Sequence, residues 1–147
     1  MWRGLLLTIA MCVAATPSLA ADRYYCAADD TNLKLSVDTG FADAPGHKLN
    51  HFRGALIGKS AQIPADFRTM MLDSSQLTQN WAHDGDLRLF ITALNGNGDA
   101  ARSAELIITA SGKDETAPMP GSYVLSFATP DDTQGTAIKG HLTCSAK

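Results

Sequence analysis

Histidines, cysteines, methionines and short acidic runs are the residues of this 147-residue chain whose types and spacing could do chemistry. His47 and His51 lie four apart. On a helix they would share a face, but the flanking Leu49 and Phe52 predict a strand. There, four residues span about 13 Å, too far for one ion to bridge. His83 stands beside Asp84 and Asp86. A carboxylate–histidine site is one reading of that cluster; the turn preference of Asp84-Gly85 explains it without a ligand. Asp29-Asp30-Thr31-Asn32 and Asp131-Asp132-Thr133 offer oxygen ligands but lack the spacing of a calcium loop. They read as solvated turns. Met70-Met71 and Met119 make a soft patch at most, because adjacent residues of a strand face opposite ways.

Nucleophilic chemistry has no better support. The chain carries no G-x-S-x-G elbow, and its serines show no pattern of an activated nucleophile. Glu105 and Glu115 are the only glutamates, and nothing in their spacing pairs them for glycoside cleavage. The residues therefore predict no catalytic group, no metal ligand and no cofactor. Trp81 remains. It follows Thr78-Gln79-Asn80 and precedes the His83–Asp86 turn, a composition suited to stacking a sugar. A core-rim tryptophan with a buried ring and a satisfied N–H is the heavier reading. Trp81, His83, Asp84 and Asp86 are the candidate ligand-binding residues.

The cysteines set the frame that must position them. Cys12 lies in an N-terminal segment that opens with Met1-Trp2-Arg3, runs apolar from Leu5 to Ala15, and ends in Thr16-Pro17-Ser18-Leu19-Ala20. That is the pattern of a signal peptide cleaved after Ala20, with small residues at Ser18 and Ala20. The apolar run is too short to span a bilayer, and lipidation at Cys12 is disfavoured by Met11 before it. Residues 21–147 then form the mature domain, periplasmic or secreted, with Cys26 and Cys144 as its two thiols. In an oxidising compartment they pair, closing nearly the whole domain with Cα atoms about 5.5 Å apart.

Period-2 alternation dominates the rest. Leu33, Leu35 and Val37 share one face of a strand, as do Leu87, Leu89 and Ile91, and Leu106, Ile108 and Ala110. Tyr123, Leu125 and Phe127 form another such set, and Ile138, Leu142 and Cys144 another, which turns Cys144 inward. Asp84-Gly85 marks a tight hairpin, Asn95–Asp99 and Pro130–Gly135 mark longer loops, and Pro64 sits where a short helical turn fits. The expectation is a single all-β domain, an antiparallel sandwich or small barrel of seven to nine strands closed by one disulfide. Lys139 and Arg23 would then guard the edges of the first and last strands.

Composition narrows the partners. The net charge is −3, or −4 once Arg3 leaves with the leader, and no basic block exists. Nucleic acid is thereby disfavoured. No segment after the leader is long and apolar enough to cross a membrane as a helix. Gly121-Ser122-Tyr123 and Lys139-Gly140-His141-Leu142-Thr143-Cys144 make an ending similar to that of small exported bacterial β-proteins tied by a terminal disulfide, small lysozyme inhibitors among them. The likeness covers the last quarter of the chain and carries no residue over. The resulting expectation is an exported, non-enzymatic protein that binds a protein partner through the loops around Trp81–Asp86, Asn95–Asp99 and Lys113–Gly121. Small-molecule, carbohydrate or metal binding is the alternative.

Overall fold

The computed structural model describes residues 23–42, 48–95, 102–112, 117–128 and 135–147. It contains strands β1 (Arg23–Asp29), β2 (Leu33–Phe41), β3 (Leu49–Gly58), β4 (Thr69–Asp73) and β5 (Leu77–His83). Strands β6 (Asp86–Asn95), β7 (Arg102–Ser111), β8 (Met119–Ala128) and β9 (Ala137–Ala146) follow. A single 3-10 turn at Ala65–Phe67 follows Pro64. All pairings are antiparallel, in the order β4-β3-β2-β1-β9-β8-β7-β6-β5. The nine strands thus make one nearly closed sheet, a barrel rather than two stacked sheets.

Strand direction explains the closure. Alternation along that order leaves the end strands β4 and β5 pointing the same way, although only Ser74, Ser75 and Gln76 separate them. They are two segments of one interrupted path, β4 pairing with β3 and β5 with β6. The barrel therefore has eight staves, one of them broken. Eight staves make an interior narrow enough for side chains to fill. Leu33, Leu35, Leu56, Leu87, Ile108, Tyr123 and Leu125 do so, each at most 1% exposed. Burying one such side chain contributes about 1.5–3 kcal/mol. The segment between β3 and β4 closes one end, where Ile63 and Phe67 are buried. Phe67 meets Phe127 at 5.6 Å between ring centroids, and Asp66 meets Arg102 at 3.4 Å.

Cys26 and Cys144 are bonded and wholly buried, directly opposite each other where β1 meets β9. Their Cα atoms are 4.0 Å apart, closer than the expected 5.5 Å, because they form a non-hydrogen-bonded pair, the closer of the two kinds of opposite pair in an antiparallel ladder. The pairing of the first and last strands also corrects the roles of two cations. β1 and β9 lie within the sheet, so Arg23 and Lys139 guard no edge; the edges are β4 and β5. Arg23 instead forks onto Asp38 at 3.1 and 2.8 Å. His51 Nε2 and Arg53 reach the same carboxylate at 3.3 Å each. The Arg23 fork is the main reason the Asp38 carboxyl lies well below the usual carboxylate range.

The Asp29–Asn32 turn is more than solvated. The Asp30 carboxylate accepts the amides of Asn32 and Leu33 at 2.7 and 3.0 Å, and the buried Tyr123 hydroxyl donates to it at 2.7 Å. Burial, then the Asp30 hydrogen bond, push the Tyr123 phenol up to about 12. An unfolded tyrosine titrates near 10. Between those values the folded chain keeps a proton that the unfolded chain loses, so stability is complete below pH 10 and declines towards pH 12. The decline amounts to about 2–3 kcal/mol. Urea midpoints at pH 9 and pH 11.5 check this. The fall between them should be smaller in Tyr123→Phe, and equal falls in the two proteins would contradict the assignment.

Candidate functional site

The outer wall of the barrel is where the sequence places its unexpected residues. Along β6 and β7 the core phase is apolar, and the opposite phase should be polar on a solvated wall. Phe90 and Ile107 break that rule. They face outward and sit opposite each other in register, in a row that runs Gln79, Phe90, Ile107, Val124 and Lys139 across β5 to β9. The neighbouring row runs Trp81, Arg88, Thr109, Ser122 and His141. Where the two rows cross β5 to β7 lies a depression of about 650 Å³, lined by Trp81, Arg88, Phe90 and Ile107, with Gln79 and Asn80 at its β5 side. A smaller one of about 240 Å³ shares Asp86, Arg88 and Thr109 and continues over Ser111, Pro120 and Ser122. The two make one shallow groove across β5 to β8.

Trp81 is 57% exposed, so it is not a core-rim residue. The reason lies in β5 itself. A register irregularity between Leu77 and Gln79 and the position at the end of the sheet leave Thr78, Gln79, Asn80 and Trp81 all exposed. Trp81 projects from the outer phase, and the His83 ring stands edge-on to it at 6.1 Å. Arg88, directly opposite Trp81, has no ion-pair or hydrogen-bond partner among the described residues. The nearest acid on its own strand, Asp86, is two residues away and accepts a hydrogen bond from the Ser111 hydroxyl at 2.6 Å. The wall thus presents a cation, two aromatic rings, a branched aliphatic chain and two side-chain amides.

Of the four residues singled out by sequence, the structure brings Trp81 and Asp86 to this groove. His83 and Asp84 stand beside it, exposed, with His83 Nε2 3.1 Å from Asp84 Oδ2. The positive φ of Asp84 (49°) and Gly85 (77°) confirms the tight hairpin, which holds both side chains out in solvent. Arg88, Phe90, Ile107, Gln79 and Asn80 were missed. The signal for Phe90 and Ile107 was present, as apolar residues in the polar phase. Nothing marked Arg88, because an unpaired cation becomes visible only when its neighbours are known.

Of the three loops expected to form one surface, only the Asp84-Gly85 turn is described throughout. Strand direction puts that turn, the end of β7 at Ser111 and the start of β8 at Met119 at one end of the barrel, and Asn95, the last residue of β6, at the other. Residues 96–99 and 113–116 lie outside the described residues, as do His47 and Asp131–Thr133. Met70 and Met71 do face opposite ways, Met70 buried and Met71 exposed. Among the described residues no three His, Cys, Asp or Glu side chains converge on a metal position. Ser111, Asp86 and His83 share one row, but the carboxylate sits between the other two, and the hydroxyl donates to it. A Ser–His–Asp triad places the histidine between the hydroxyl and the carboxylate, so this row does not have the triad's order. Among the described residues no helix is long and apolar enough to cross a membrane.

Comparison with known proteins finds no matching family model and no significant match among curated proteins or solved structures.

Proposed function

We propose that this is an exported binding protein without catalytic activity, its leader removed near Ala20, that holds a protein partner on the outer wall of β5 to β7. The observation that carries the reading is the exposed Trp81 set opposite Arg88, which has no partner among the described residues. Tryptophan and arginine are the residue types that dominate binding energy at protein interfaces, and here both flank one depression with Phe90 and Ile107. Large apolar side chains are buried inside the barrel, which favours its outer surface as the binding face. The groove is long and shallow, as suits a protein surface better than a small ligand, which needs a concave site. The disulfide agrees with an oxidising compartment.

A carbohydrate is the second reading, favoured by Gln79 and Asn80 beside the Trp81 ring. A panel of glycans titrated against the protein separates the two, since only this reading expects saturable binding there.

The protein-partner reading is tested by capture from the envelope fraction of the producing cells, followed by affinity measurement with the purified partner. Trp81→Ala should weaken binding about 30-fold or more, the effect of removing an anchor worth about 2 kcal/mol. Its thermal midpoint should stay close to that of the unaltered protein, because the ring is exposed. A captured partner that binds Trp81→Ala and Arg88→Ala with undiminished affinity would place the interface elsewhere.

A further inference from the structure

The free edge of β5 narrows the partner further, on the premise that the β5–β7 wall is the binding surface. We propose that β5 accepts an extended acidic segment of the partner as an added strand. The two-residue turn at Asp84-Gly85 makes His83 and Asp86 a hydrogen-bonded pair. Alternation then bonds Trp81 with Arg88 and turns the backbone N–H and C=O of Asn80 and Ala82 away from β6. On that side the sheet has no further strand among the described residues, because β5 ends its order. Asn80 shares the core phase with Ala82, yet Asn80 is exposed and Ala82 buried, so the broken stave leaves β5 uncovered at Asn80.

Soluble proteins blunt such edges with charge or proline. Leu77–Ala82 contains no Lys, Arg, Asp, Glu or Pro. The edge is instead accompanied by an apolar wall and an unpaired cation, the features that would select an occupant. A strand added to β5 places alternate side chains on the outer wall beside Trp81. The residue opposite Trp81 would stand two strand spacings, about 10 Å, from Arg88. A glutamate and an arginine span that gap together, and their meeting would pair Arg88, which has no carboxylate partner among the described residues. Main-chain bonds then supply affinity, and the Trp81 and Arg88 contacts supply choice.

The probe is a displayed library of random twelve-residue peptides selected against the oxidised protein. Enriched peptides should carry Asp or Glu between β-branched or aromatic residues. Their binding should slow amide exchange at Asn80 and Ala82 at least 10-fold. Asn80→Pro removes an outward N–H while leaving the β6 ladder bonds in place, and should weaken binding at least 10-fold. Asn80→Lys, which keeps the backbone intact and charges the edge, should act the same way. Arg88→Glu should reverse the preference towards Lys and Arg. Loss of binding in Trp81→Ala with no response to either Asn80 variant would overturn strand addition and keep the wall as the site. Peptides indifferent to Trp81→Ala and Arg88→Glu would remove the wall reading itself. Absence of enrichment, or a concentration-dependent dimer abolished by Asn80→Pro, would also overturn the proposal, the latter by giving the edge to a second copy.

Discussion

The double change Cys26→Ala and Cys144→Ala is expected to lower the free energy of unfolding by about 3–5 kcal/mol. The two residues are 118 apart in sequence, so the bond joins nearly the two ends of the described domain. In the chain-entropy model a loop of that size stabilises by about 4–5 kcal/mol, by restricting the unfolded chain. The location adds to this. β1 and β9 are the pairing of greatest sequence separation in the barrel, so it is costly to close without the covalent link. Both sulfurs are buried, so alanine leaves a small void as well. A domain of this size has roughly 5–15 kcal/mol to lose. Urea unfolding of the oxidised protein, the reduced protein and the double alanine variant measures the effect. Reduced and alanine forms should both be destabilised, and a change under about 1 kcal/mol in both would contradict the role assigned to the bond.

The second large effect is expected at Gly140. A Cβ placed there would lie 2.5 Å from Asp30 Oδ2 and as close to the edge of the Tyr123 ring. Neither neighbour can retreat easily. Tyr123 is wholly buried, and Asp30 is held by two backbone amides of its own turn. Gly140→Ala must therefore displace the 2.7 Å Tyr123–Asp30 hydrogen bond or push β9 away from β8. Overpacking of this kind costs about 1–3 kcal/mol, and loss of a bond to a carboxylate adds about 1.5–3 kcal/mol. Thermal unfolding measures the sum. Gly140→Ala in a Tyr123→Phe background should cost less than in the unaltered protein, because the hydroxyl is already absent. Equal costs in both backgrounds would show that the glycine serves something other than this contact.

The contrast between these two positions explains what the sequence could disclose. Cys144 alternates with Leu142 and Ile138, so its inward direction is readable from three residues, and with one partner available the bond follows. Asp84-Gly85 is as local, and its turn is found where expected. The Asp30–Tyr123–Gly140 cluster joins residues up to 110 positions apart, and no local pattern contains it. The broken stave is hidden for the same reason. β4 and β5 look like two separate strands, and only the sheet order shows that they run in one direction. That break frees the edge of β5 and leaves Trp81 exposed, the opposite of the core-rim position that tryptophan commonly takes. The edge assignment of Arg23 and Lys139 fails by the same mechanism, because pairing of the first and last strands moves the open edges to the middle of the chain.

The proposed binding surface is tested most directly by a photo-crosslinking residue placed singly at positions 107 and 141 in the producing cells. Position 107 lies in the groove, and position 141 is exposed on β9, outside it. A defined crosslinked product should form at 107, be absent at 141, and disappear when Arg88→Glu is combined with the probe at 107. Crosslinking at 141 with none at 107, or products at both that ignore Arg88→Glu, would contradict a partner seated on the β5–β7 wall.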